Sequence, residues 1–119
     1  MGLKDTFKQI RDDYVIRQAQ AVELPEFVSG TVRRYRVKFS GRVQKVGFRL
    51  EVCELAMRLG LAGWCKNLDN GDVLAEFQGS TERIDFLISF MENLKRIKIR
   101  EKTIEELDVI PGEQGFSKH

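Results

Sequence analysis

The stretch RYRVKFSGRVQKVGFRLEVCELAMRLG (Arg34–Gly60) changes its apolar period halfway along, and that change decides the fold. Before Gly41 the period is two. Tyr35, Val37 and Phe39 take one face, while Arg34, Arg36 and Lys38 take the other, the pattern of a half-buried strand with a basic outer face. After Gly47 the period is helical: Val52, Leu55, Ala56 and Leu59 form one stripe, and Gly60 is placed to cap the C-terminus. Gly41 to Gly47 is therefore a loop that delivers a strand into a helix N-terminus. Backbone N–H groups at such a junction lack intrahelical partners and favour an anion, helped by the helix dipole. Arg49, in the first turn, can add a two-pronged guanidinium clamp suited to phosphate. The alternative is that the two glycines only make turns and Arg49 is a solvated surface residue.

Downstream, Leu61–Asn67 reads as a second strand and Asp72–Gln78 as a third, joined through Asn70-Gly71, a strong hairpin signal. Ser80 offers an N-cap, with Glu82 in the first turn. Ile84, Leu87, Ile88, Met91 and Leu94 then mark a second helix, and a last strand falls within Ile97–Val109 before Pro111-Gly112. The order β-α-β-β-α-β predicts an α+β, ferredoxin-like sandwich: a mainly antiparallel four-stranded sheet with two helices on one face. That domain covers 31–119. Residues 1–30 are an N-terminal extension, partly helical or flexible, in which Leu3, Phe7, Ile10 and Tyr14 fall on one helical stripe. The helix either docks on the domain or binds a partner.

The 119 residues are 42% hydrophobic and 32% charged, with a formal net charge of +2, which suits one soluble globular domain and does not by itself imply nucleic acid or membrane. Charge is unevenly spread. Seven basic and no acidic residues lie between Thr31 and Leu50, whereas Glu101–Glu113 holds five acids and only Lys102. The basic stretch reads as a local field for a small anion or a polymer. Cys53 and Cys65 sit in apolar-periodic stretches, as reduced buried thiols of a cytoplasmic protein do. No run of about 18 apolar residues is present, so no membrane segment is expected.

The single histidine, His119, leaves no room for a Cys/His metal site or a Ser-His-Asp system. Walker A and GxGxxG patterns are absent around Gly41–Gly47, and a Cys-x5-Arg phosphatase loop fails because Leu59 and Gly71 stand where arginine is needed. No metal, cofactor, nucleic acid or membrane partner is expected, and the chain is read as a monomer acting on a small molecule.

Two motifs carry a family resemblance. Ser40–Arg49 resembles the GxVQGVxFR signature of the acylphosphatases, and Gly63-Trp64-Cys65-Lys66-Asn67 with Asp69-Asn70-Gly71 resembles their second signature, G-W-V-x-N-x-x-x-G. The resemblance covers about Tyr35–Phe116. It implies hydrolysis of acyl phosphates to carboxylate and inorganic phosphate without metal or cofactor, with phosphate also acting as an inhibitor. It also implies that Arg49 binds phosphate, that Asn67 orients the attacking water, and that amides across Gln44, Lys45, Val46, Gly47 and Phe48 form a phosphate cradle. Two departures stand out. Lys45 occupies a position usually held by glycine, so a positive φ there would strain the loop. The tail Gly115–His119 leaves the final short strand of the family short or frayed. An inactive phosphate-binding relative is one alternative. An RNA-binding module of the same β-α-β-β-α-β order is another, although the third strand offers one aromatic and an acid.

Overall fold

The computed structural model describes residues 2–119. Helix α1 (Leu3–Ala21) leads through an extended connector to β1 (Val32–Arg42). Then follow α2 (Phe48–Arg58), β2 (Ala62–Asn67), β3 (Val73–Ser80), α3 (Thr81–Glu92), β4 (Lys98–Leu107) and β5 (Phe116–Lys118). From β1 to β4 the predicted order is reproduced. The sheet runs β4-β1-β3-β2-β5; its first three pairings are antiparallel and β5 lies parallel to β2. The fold is thus α+β with three helices and a five-stranded mixed sheet, which corrects the four-stranded prediction. The fifth strand escapes a periodicity reading because it is three residues long. It forms because β2 would otherwise be an open edge. The Gly63 N–H donates to Gly115 O (3.0 Å) and the His119 N–H to Cys65 O (2.8 Å), closing that edge.

Alternation and helical stripes meet in one core. Val37 and Phe39 of β1 and Val73, Ala75 and Phe77 of β3 cluster with Val52, Leu55 and Ala56 of α2 and Leu87, Ile88 and Met91 of α3. Each buried Val, Leu, Ile, Phe or Met among them stabilises the fold by about 1.5–3 kcal/mol. The helix ends follow the local chemistry. Gly60 adopts φ 67°, and Leu61 N–H reaches back to Ala56 O (2.9 Å), ending α2 in a left-handed cap. The Ser80 hydroxyl accepts from the Arg83 N–H (3.4 Å) at the start of α3. Helix α1 docks through Val15 and Ala19, both fully buried, while Leu3, Phe7, Ile10 and Tyr14 stay exposed. The apolar stripe visible in the sequence is therefore not the docking face.

After β4 the chain must travel from one sheet edge to the other, and it does so across β1 and β3. Gln78 holds this crossing segment by donating to Ile110 O (2.9 Å) and accepting from Ile110 N–H (2.8 Å). Arg34 donates to Glu76 (2.8 Å), Gln78 (3.2 Å) and Glu113 (2.7 Å), and is only 1% exposed. Arg36 also binds Glu76 (2.8 Å), and Arg33 binds Glu106 (3.0 Å). On the basic outer face of β1, Arg34 and Arg36 are thus paired with acids of β3 and the crossing segment. Burial alone would push the Glu76 carboxyl up, but hydrogen bonds from Arg36 and Arg34 hold it below the usual carboxylate range. Its stabilising contribution is present above the unfolded carboxylate pKa and is lost as pH falls through the lower folded value. Arg34→Met should destabilise the protein by about 2 kcal/mol in urea titrations at neutral pH, less than a fully stranded buried charge because Glu76 keeps Arg36.

Candidate active site

The junction between β1 and α2 has the strained geometry that an anion loop needs. Gly47, the N-cap of α2, sits at φ 76°, ψ 18°, and a Cβ there would lie 2.8 Å from Val15 Cγ2 of α1. Both the left-handed backbone and the pressing helix require glycine. The first bond of the helix is Glu51 N–H to Gly47 O (3.0 Å). The N–H groups of Gln44, Lys45, Val46, Gly47 and Phe48 donate to no protein acceptor among the described residues, leaving five amides available at one turn of chain.

Lys45 is the one non-glycine residue with positive φ (64°) among the described residues. The position usually held by glycine is therefore left-handed here, at a cost of about 1–2 kcal/mol for an L-residue. Two guanidiniums hold this turn. Arg11 of α1 donates to Lys45 O (3.2 Å), and Arg96, from the connection between α3 and β4, donates to Val46 O (2.9 Å). Since a carbonyl and the next N–H point opposite ways across a planar peptide, gripping these carbonyls turns the Val46 and Gly47 N–H groups away from the two arginines. Lys45→Gly should raise stability by about 0.5–1 kcal/mol, the relieved strain less the extra entropy of an unfolded glycine; a urea titration reads this directly.

Of the residues singled out in the sequence, Arg49, Asn67, Gln44, Lys45, Gly47 and Phe48 line one cleft of ≈ 650 Å³. Val46 does not line it; its carbonyl is held by Arg96. The Gln44 side chain turns to a different task from anion binding. Its Nε2 donates to Leu68 O and Asp72 O, both at 2.8 Å, tying the loop to the β2–β3 turn. Asn67 is the last paired residue of β2 before that turn, so Gln44 sets the separation between loop and asparagine. Gly63 permits the close approach of β2 to β3: at φ 136° a Cβ would fall 1.9 Å from Glu76 O. Arg49 donates to the main-chain oxygen of His119, beyond the end of β5.

Among the described residues the cleft lining contains no serine, threonine, cysteine or histidine. Nearby Cys65 is buried, and its thiol is pushed up to about 12, first by burial and then by Cys53, with Arg49 and Lys118 opposing. It stays protonated at neutral pH and is no nucleophile.

Three contributions were not read from the sequence. Helix α1 supplies six of the fifteen lining residues, and Lys118 of β5 adds another. Arg96 is the third: besides gripping the loop it bonds Gln18 of α1 (2.6 Å) and fully buried Glu51 of α2 (2.7 Å). Burial pushes the Glu51 carboxyl up and Arg96 pulls it partly back; its Oε2 has no hydrogen-bond partner among the described residues. A helical spacing, Lys4-Lys8-Arg11, was the available signal for the first contribution; no local pattern announces the other two.

Comparison with known proteins gives the family of the chain. The acylphosphatase family model matches residues 35–118. An acylphosphatase of Clostridium beijerinckii is 40% identical over 88 residues, spanning 71% of this chain and 94% of the relative. One from Rubrobacter xylanophilus is 39% identical over 85 residues, 71% of this chain and 77% of its own length. The crystal structure of the Bacillus subtilis acylphosphatase superposes with a TM-score of 0.68 at 31% identity, covering 75% of this chain and 99% of that one. With the matched segment running from β1 through β5 and holding the loop, Arg49 and Asn67, the chain belongs to the acylphosphatase family.

Proposed function

We propose that this chain hydrolyses the carboxyl-phosphate bond of small acyl phosphates, releasing a carboxylate and inorganic phosphate. The observation that carries the reading is the meeting in one cleft of Gln44, Lys45, Gly47 and Phe48, whose amides donate to no acceptor among the described residues, with Arg49 and Asn67. In this reading the amides and Arg49 hold the phosphoryl oxygens, and Asn67 orients the attacking water.

So sparse a site is chemically sufficient. An acyl phosphate is a mixed anhydride whose leaving group is a stable carboxylate, so no strong general acid is required. The phosphoryl oxygens of the substrate can take the proton of the water. Orientation of the reactants lowers a barrier by about 7–11 kcal/mol, and each preorganised donor aimed at developing charge adds about 2.7–4 kcal/mol. The donors are amides and a guanidinium, which stabilise phosphoryl charge without a metal. The same reading takes the enzyme as a cytoplasmic monomer, with its two cysteines free.

The RNA-binding alternative draws little support from the sheet. Phe77, the aromatic of β3, is fully buried, and the neighbouring Glu76 and Gln78 bond Arg34 and the crossing segment. The deciding experiment is turnover of benzoyl phosphate with chelator present, and its competitive inhibition by inorganic phosphate. Phosphate binding without turnover at high enzyme concentration would overturn the hydrolase reading in favour of a binding relative.

A further inference from the structure

Helix α1 lies outside the segment matched to the family, yet it forms one wall of the cleft with Lys4, Asp5, Phe7, Lys8, Arg11 and Asp12. It is fixed in that place. Val15 and Ala19 are fully buried, Gln18 bonds Arg96, and Arg58 of α2 donates to Ala19 O (2.8 Å) and Val22 O (2.6 Å) at the C-terminal end of the helix. A cation there also suits the helix dipole.

The charges on this wall exceed what the phosphoryl group needs. Arg11 is engaged by Lys45 O and by Asp12 (3.0 Å). Lys4 and Lys8, one helical turn apart, are exposed and form no ion pair among the described residues. The lining also holds Lys45, Arg49 and Lys118, and Asp5 is its remaining acid. The phosphoryl oxygens already have the loop amides and Arg49. The cleft, at ≈ 650 Å³, falls in the range of about 300–1,000 Å³ found for pockets that hold ligands far larger than phosphate.

Resting on the acyl phosphate reading above, we infer that Lys4 and Lys8 recognise a second anionic group, a carboxylate or phosphate, on the acyl part of the substrate. Phe7, between them in sequence and also facing the cleft, covers the carbon chain joining the two anions. The extension thus sets specificity for acidic acyl phosphates over neutral ones. Reaction classes that supply such a substrate are those that phosphorylate one carboxylate of a molecule bearing a further acidic group.

The test compares substrates that differ only in the distal group: butyryl phosphate, which ends in methyl; succinyl phosphate, which ends in carboxylate; and 3-phosphooxypropanoyl phosphate. Wild-type protein should favour at least one acidic substrate over butyryl phosphate, and the two acidic arms separate carboxylate from phosphate recognition. In K4Q/K8Q the acidic-to-neutral ratio of kcat/KM should fall about tenfold, mainly through KM, as expected for two exposed ion pairs acting together. K4E/K8E should push the ratio lower still, and added salt should shrink the wild-type preference. Both lysines are exposed, so neither variant threatens the core. A ratio that stays within about twofold of wild type in both variants, with all three substrates turned over, would overturn the inference. Failure to hydrolyse any of them would instead overturn the hydrolase reading.

Discussion

Arg49→Gln should abolish measurable phosphate binding and lower kcat/KM for benzoyl phosphate by about 10³-fold. Removing a single preorganised donor costs about 10²–10³ in rate, and this change removes a charged, two-pronged one. Glutamine keeps much of the length and polarity but has neither the charge nor the fork. Arg49→Lys should fall between the two, since a point charge attracts phosphate without matching its geometry. Inhibition by inorganic phosphate is the sharper readout, because it reports the clamp without the chemistry. Among the described residues the one side-chain bond of Arg49 is to the main-chain oxygen of His119, so unfolding in urea should change little. A variant that kept wild-type phosphate inhibition would remove Arg49 from the clamp.

Asn67→Ala should behave differently. KM and phosphate inhibition should stay close to wild type while kcat falls by about 10²–10³-fold, the signature of an interaction made only as the reaction proceeds. Asn67 sits at the exposed end of β2, facing the cleft across from a loop that Gln44 ties to the same turn. In the proposed mechanism its loss should misplace the water and leave the amides and Arg49 in position. If phosphate inhibition weakened as much as in Arg49→Gln, the proposed division between clamp and water would be wrong. Together the two variants separate binding from catalysis within one cleft.

How much of this was legible beforehand depended on the range of the forces involved. The change of period across Arg34–Gly60 announced β1, the loop and α2, because alternation and helical stripes are local records of burial. Gly60 and Ser80 announced the helix ends for the same reason, since caps are contacts within a turn of chain. The loop and Asn67 were visible as motifs, and the fold brings them into one cleft. The charge pattern was visible too, but its pairing was not. Arg33 and Arg34 of β1 bond Glu106 of β4 and Glu113 of the crossing segment, whereas Lys45 and Arg49 of the same basic run line the cleft. Composition records the number of charges and not their partners.

The sequence alone determined the order of elements from β1 to β4, the glycine-bounded turn before α2, and the presence of Arg49 and Asn67 in linked motifs, because each rests on neighbours a few residues apart. Only the tertiary structure decided that Lys45 is left-handed and held by Arg11, that β5 closes the edge of β2, that Arg96 grips the loop, and that α1 walls the cleft. Each of these joins residues far apart in the chain through one hydrogen bond or a few buried contacts, and such pairings leave no period to read.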